Sequence, residues 1–317
     1  MTEAPAEFFR VIDLSMVPVP DFVEALNYES IRQAAIDYFV SLDPANNALV
    51  ESDPIIKLIE AFAYRELNLR QRINDMGLAN TITASLGNDL AVIGAFFGVT
   101  PMEGENTERF RRRVQLGIYT GAVAGPRQSY EFHALSAHAA VVDVGVHSPA
   151  PGEVAVTVLA SEDVATETAS DQERLVGRAL FAQPVNADVS RILARPSSAV
   201  LQAVRVALSG EAVRPLTDSV TVQPPTVAPF SIRARLVVYP GPEAATVRAN
   251  ALTSLAAYLQ RIRKVGYDAT LSGIIAALTV GGVQNVILTS PVADVVASHY
   301  DLPVCVAVDV EVERFDV

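Results

Sequence analysis

The stretch GPRQSYEFHALSAH, residues 125–138, sets Glu131, His133 and His138 within eight residues of a chain that owns four histidines. One carboxylate and two imidazoles are the donor set of a zinc centre or of a general acid–base pair. Spacing decides against both. Gly125-Pro126 marks a helix start, and on a helix only positions three or four apart share a face. Glu131 and His133 are two apart, and His133 and His138 five apart, so no face gathers the three groups. The zinc-protease spacing HExxH does not occur. His133 therefore reads as a helix-packing or capping residue, and His147 and His299 stand alone elsewhere.

Other chemistry is equally short of residues. There is no GxSxG elbow, no GxxxxGK[ST] phosphate loop and no GxGxxG after a strand. Carboxylates near strand ends, such as Asp143 and Glu153, would make a glycosidase pair only at a separation that the sequence does not fix. The expectation is a non-enzyme with no catalytic residue, no metal ligand and no cofactor.

Composition narrows the partners. The 317 residues carry 24 basic against 36 acidic side chains, a net charge of −12. That balance repels phosphate backbones and argues against a nucleic-acid partner. Half the residues are hydrophobic, enough for about two ordinary domains with real cores. Cys305, the single cysteine, has no intrachain partner and reads as core filling in a protein assembled in a reducing compartment. The N-terminal MTEAPAEFFRVIDLSMVPVP lacks the basic start and apolar run of a signal peptide. Between Asp268 and Asp294 no charge intervenes, but Gly281-Gly282, Gln284-Asn285 and Ser290-Pro291 divide that stretch into a short helix and a short strand. No membrane partner is expected.

The elements that would position any site fall into two kinds. The first 120 residues read as helical, beginning with PDFVEALNYESIRQAAIDYFVSLDP, which Pro44 ends. In DPIIKLIEAFAYRELNLRQRINDM, Asp53 is the expected N-cap and Pro54 the first helical residue. Along that helix Ile55, Ile59, Phe62, Glu66, Leu69, Ile73 and Met76 alternate spacings of four and three, a heptad seam with one polar member, Glu66. The seam runs roughly 30 Å at the helical rise per residue. It suits either a bundle contact between chains or packing inside the domain, and spacing alone does not separate the two. A shorter helix follows in GNDLAVIGAFFG, and another starts at Asn106 or Thr107 with Arg109, Arg111, Arg112 and Arg113 on it. On an acidic chain these arginines read as a solvated face or an intersubunit ion-pair patch rather than a phosphate site.

After Gly125 helices alternate with strands. VVDVGV, the turn SPAPG and EVAVTVL form a half-buried hairpin. Ser198 is the expected cap of the helix AVLQAVRVALSG, which Gly210 ends. In PFSIRARLVVYPGP, Ile232, Ala234, Leu236 and Val238 share a face, and a helix from about Glu243 carries the stripe Val247, Ala251, Leu255, Tyr258 and Ile262. The last strand places Val304, Val306, Val308, Val310 and Val312 on one face and Asp309, Glu311 and Glu313 on the other. HALSAHAAVVDVGVHSP and AALTVGGVQNVILTSP echo one another as helix end, link, strand and Ser-Pro turn, which suggests a repeated unit. The fold class is α+β: an N-terminal helical region with a long bundle-forming helix, then small mixed α/β sheet domains. The expected boundaries are a helical region over 1–120, a middle α+β domain over 121–225 with an insertion near 161–197, and a C-terminal α+β domain over 226–317.

Several of these stretches together carry a resemblance. DPIIKLIEAFAYRELNLRQRIND, GPRQSYEFHALSA, VVDVGVHSPAPGEVAVTVL, VRPLTDSVTVQ and YPGPE occur in this order, and the chain from about residue 50 onward resembles the baseplate J-like proteins of contractile-tailed phages and tailocins. The resemblance implies a structural wedge component of the tail baseplate in the virion, assembled in the host cytoplasm. It implies a second copy of the chain and one tail protein I-like wedge partner in each wedge. Six wedges would surround the hub, with a gpW/lysozyme-like baseplate protein and hub or sheath components nearby. The N-terminal helices would join a bundle, the C-terminal domains would link wedges into a ring, and rearrangement of the ring would trigger sheath contraction. On this resemblance Ile55, Ile59, Phe62, Leu69 and Ile73 become candidate intersubunit knobs, with Glu66 setting register. The rivals are a wedge component of a related contractile injection system and, from another class, a tail-associated hydrolase. The segment 161–197 has no counterpart in the resemblance and no inherited role.

Overall fold

Asn27 fixes where the first helix begins: its Oδ1 accepts from the Ser30 N–H at 3.2 Å, which caps α1 (Tyr28–Leu42). The helix expected from Pro20 thus starts at Tyr28. The segment before it is held otherwise, because the Asn74 side chain accepts from the Glu24 N–H at 3.1 Å and donates to the Glu24 carbonyl at 2.9 Å. The computed structural model describes residues 12, 14–47, 49–121, 126–161, 193–194, 196–210, 213–215, 217–240 and 243–314. Most of the expected insertion near 161–197 lies outside the described residues.

The chain splits into two units, Met1–Gly117 and Ile118–Val317. In the first, Pro54 opens the long helix α2 (Pro54–Ala79). Asp53 holds the expected N-cap position, its backbone carbonyl accepting from the Lys57 N–H at 3.2 Å, but its carboxylate makes no capping bond and accepts instead from the Val50 N–H at 3.4 Å, in the turn before the helix. Helix α1 packs on α2 over Ile31, Ile56 and Ala63, and Arg32 on α1 reaches Glu60 at 3.3 Å and Glu51 at 3.2 Å.

Helices α3 (Gly87–Phe96) and α4 (Thr107–Gly117) follow. Asn106 caps α4, accepting from the Arg109 N–H at 2.8 Å. The arginine face of α4 is not solvated: Arg109, Arg111 and Arg113 are buried. Arg109 and Arg113 converge on Glu105, whose side chain has no exposure, with Arg113 Nη1 at 2.7 Å from Glu105 Oε2. Arg113 also donates to the Thr100 carbonyl at 3.2 Å, and Arg111 to the carbonyls of Ser85, at 2.9 Å, and of Ile82. Buried charge persists where it is paired and its donors are used. The guanidinium groups therefore fasten the loops around α3 and α4, which corrects the expected surface patch.

The second unit opens with α5 (Arg127–Ala137), β1 (Val141–His147) and β2 (Glu153–Ser161). Strands β1 and β2 pair antiparallel, with Val144 opposite Val158 and His147 opposite Ala155. The two-residue strand β3 (Leu193–Ala194) pairs antiparallel with the end of β2. Helix α6 (Ser198–Leu208) is capped by Ser197, one residue before the expected Ser198, because the Ser197 hydroxyl accepts from the Val200 N–H at 3.3 Å. Strand β4 (Ser219–Gln223) then runs parallel to β2. Tyr130 on α5 is buried and its hydroxyl donates to Asp218 at 2.6 Å, just before β4. Burial and that carboxylate push the phenol well above its ordinary pKa.

The hairpin is covered on both faces rather than half-buried. Val156 and Val158 are buried on one face, and Ala155, Thr157 and Leu159 on the other. The second cover is the start of a later strand, since Leu159 clusters with Leu302 and Val304. A hydrophobic run without alternation is the sequence mark of such a strand, and VAVTVLA is one.

A three-stranded sheet, in the order β6-β5-β7, completes the unit. Strand β5 (Thr226–Val238) pairs parallel with β7 (Asp301–Arg314) and antiparallel with β6 (Val283–Ser290). The expected face of β5, Ile232, Ala234, Leu236 and Val238, is buried against the expected stripe of α7 (Ala244–Ile262), Val247, Ala251, Leu255, Tyr258 and Ile262. Helix α8 (Leu271–Leu278) adds Ile274 and Leu278 to that core. The uncharged stretch before Asp294 is α8 followed by β6, and no helix among the described residues is long and apolar enough to cross a membrane. Cys305 on β7 is partly buried; its thiol lies 3.3 Å from the Ala307 carbonyl, and burial pushes its pKa up to about 11. The architecture is α+β, with helices in the first unit and two small mixed sheets flanked by helices in the second.

Candidate assembly interface

Helix α2 has two apolar faces, and the chain covers one. Ile56, Ala63 and Asn74 are its buried residues. The expected seam lies about 100° round the helix from them, at one residue's rotation. There Phe62 is 62% exposed, Leu69 61%, Ile73 65% and Ile55 38%, while Ile59 is half-buried. Met76 and Leu58 are also exposed, and Leu58 lies on the same stripe although the heptad reading omits it. An apolar row of this length left in water on one helix is unusual in a finished fold. Tyr38 and Leu42 on α1 add exposed apolar area.

Glu66 sits in the middle of the row, half-exposed, with Arg70 Nη2 at 2.7 Å from its Oε1. Arg70 is shared: its Nη1 lies 3.4 Å from a Glu24 oxygen. Glu24 is itself fixed to α2 by the Asn74 amide, a contact across 50 residues that heptad counting does not reveal. Ala34, Ala35 and Tyr38 of α1 and Glu66 and Arg70 of α2 line a groove between the helices. Small side chains at Ala34 and Ala35 leave it open.

In the second unit the histidines that stand apart in sequence meet in space. His147 at the end of β1 stacks on His299 just before β7, with centroids 4.0 Å apart and planes 18° from parallel, and Tyr300 packs edge-on against His147 at 5.8 Å. Burial holds the His147 pKa below its ordinary value, and the nearby His299 and Arg127 act in the same direction. The same face of β1 carries Asp143, whose Oδ2 accepts from the Val265 N–H at 2.9 Å. Gly145 lies between them, where a Cβ would stand 2.7 Å from Val265 Cγ1. These three residues at strand period two form a seam between the two sheets.

Glu131 and His133 stay on α5, where burial alone lowers the His133 pKa and Phe132 packs edge-on to its ring at 5.3 Å. His138 is the C-cap of α5, its Nδ1 accepting from the Ala140 N–H at 3.0 Å. Among the described residues no three His, Cys, Asp or Glu side chains lie where they could hold a metal ion.

Comparison with known proteins bears on what these seams serve. The chain matches the baseplate J-like N-terminal domain over residues 51–103, the baseplate J-like central domain over 122–224 and the baseplate J-like C-terminal domain over 230–311. It is 36% identical to baseplate protein J of Escherichia phage P2 over 93% of this chain and 95% of the phage protein. The chain belongs to the baseplate J family. The N-terminal family match contains all of α2 and both of its apolar faces. The central and C-terminal matches divide the second unit between the two sheets, so the stacked histidines join one matched domain to the other.

Proposed function

We propose that the chain is a structural wedge component of a contractile phage tail baseplate, built into the virion after assembly in the host cytoplasm. The observation that carries this reading is the uncovered apolar row of α2 in a member of the baseplate J family. Ile55, Ile59, Phe62, Leu69 and Ile73 are its intersubunit knobs, and Glu66 is the polar member of the seam. Its occupants are helices of a second copy and of one tail protein I-like partner, with a gpW/lysozyme-like protein, hub and sheath components as further neighbours. The domains that act in the wedge are 1–120, 121–225 and 226–317.

The work of such a part is mechanical: interfaces repack when a trigger shifts the balance between two arrangements of the ring. Strands β6 and β7 are the outer strands of their sheet, and an outer strand offers backbone groups to a neighbour. That geometry suits linkage of adjacent wedges through the C-terminal domain. A tailocin or a related contractile injection system would use the same parts. Electron microscopy of the assembled particle tests the reading: the chain is expected twice in each wedge of the baseplate ring, and its absence from that ring would refute it.

A further inference from the structure

We infer that strand β6 pairs antiparallel with β6 of a second copy about a two-fold axis at Ile287, making one continuous sheet from two C-terminal domains. This rests on the reading of the C-terminal domain as a link between wedges, and it names the strand and its mate. Residues 284–290 of β6 read QNVILTS, two polar, three apolar and two polar, the same pattern in either direction from Ile287. A two-fold contact sets residue i against j and j against i. With Ile287 opposite its own copy, Val286 meets Leu288, Asn285 meets Thr289 and Gln284 meets Ser290, so every pair is alike in polarity. Centring on Val286 sets Ile287 against Asn285 and Leu288 against Gln284. Centring on Leu288 sets Val286 against Ser290 and Ile287 against Thr289. Of the three registers, the one at Ile287 leaves no apolar side chain opposite a polar one. Ile287 is exposed, and Val286 and Leu288 pack on the core of their own sheet. An axis normal to the sheet puts both cores on one side, so these residues carry the core across the joint.

The edge is open and uncharged. Strand β6 is an outer strand, and among the described residues the backbone of 284–289 makes no hydrogen bond outside its ladder with β5. The register shifts in that ladder lie at its two ends and leave Asn285–Leu288 regular. A free outer strand is ordinarily blunted by charge, by proline or by a cover. Strand β7, the other outer strand, has all three: Pro303, the exposed Asp309, Glu311 and Glu313, and Arg248 of α7, whose Nε donates to the Val310 carbonyl at 2.7 Å. Strand β6 carries neither a charge nor a proline. Charge therefore selects the mate. A neighbour's β7 would lay carboxylates against the apolar centre of β6, whereas a second β6 brings none. Val292, exposed just beyond the strand, adds apolar surface at each end of the joint.

The test uses the full chain, alone and co-expressed with the tail protein I-like partner, with Cys305→Ala to remove the single native thiol. Directly opposed residues hold their Cβ atoms about 4.5–5.5 Å apart, close enough for a disulfide. Under a mild oxidant, Ile287→Cys is expected to give a disulfide-linked dimer. Asn285→Cys and Thr289→Cys singly should not, since each then stands four residues, roughly 13 Å, from its own copy; the two together should. Ile287→Lys should weaken self-association in sedimentation by roughly tenfold and leave the melting temperature unchanged. Equal cross-linking of the three single variants would mean collision without register and would overturn the inference. No cross-link in any variant, from a chain that electron microscopy finds twice in each wedge, would overturn the β6 joint and leave the wedge reading standing. Absence of the chain from the baseplate ring is the separate failure of that reading.

Discussion

The imidazole of His147 lies flat against that of His299, 4.0 Å between centroids, and this stack joins the end of β1 in one sheet to the approach to β7 in the other. Two neutral rings tolerate this contact. A proton on His147 brings positive charge into a partly buried place that already has Arg127 beside it.

Acid should therefore weaken the second unit. Burial, His299 and Arg127 hold the His147 pKa below its ordinary 6.5. The unfolded chain then binds protons first as pH falls, so stability is unaffected above about pH 6.5 and declines below it. Thermal denaturation from pH 8 to pH 5 should show this decline, and His147→Phe should reduce it. Some decline should remain, because burial also lowers the His133 pKa. A His147→Phe profile identical to that of the unaltered chain would remove the stack from the account.

Glu105 should matter more to stability than its place in a loop suggests. Its fully buried carboxylate is shared by Arg109 and Arg113. Glu105→Ala leaves two guanidinium groups buried and is expected to cost about 3–5 kcal/mol in chemical denaturation of the helical unit. A loss under about 1 kcal/mol, the range of exposed pairs, would mean that water reaches the arginines.

Gly145 should not accept a larger residue. A Cβ there meets Val265 Cγ1 at 2.7 Å, next to the bond from the Val265 N–H to Asp143. Gly145→Val is expected to cost about 1–3 kcal/mol by overpacking, read as a lower melting temperature of the second unit. An unchanged melting temperature would show that the loop around Val265 yields freely.

The cores were legible because periodicity reports burial directly. Every stripe residue expected on α7 and every inward residue expected on β5 is buried, since a helix and a strand that pack on a core carry their apolar residues at fixed periods. What spacing could not show was which partner covers a face. The arginines of α4 read as a surface patch because their partners, Glu105 and backbone carbonyls on either side of α3, come together only in the fold. The two lone histidines met for the same reason, across 152 residues of chain as the numbering from His147 to His299 counts them. On α2 the sequence marked a heptad row but not its neighbour, the face of Ile56, Ala63 and Asn74 that α1 and the Glu24 segment cover.

The seam should be dispensable to the fold and essential to assembly. Leu69 and Ile73 are exposed, so Leu69→Asp and Ile73→Asp should change the stability of the isolated chain by no more than about 0.5 kcal/mol. Co-expression with the tail protein I-like partner, read by native mass spectrometry, is the most direct test of the central claim. The unaltered chain should appear as two copies with one partner, and the doubly substituted chain should appear free of that partner. A substituted chain that assembles as completely as the unaltered one would contradict the assignment of α2 as the assembly interface.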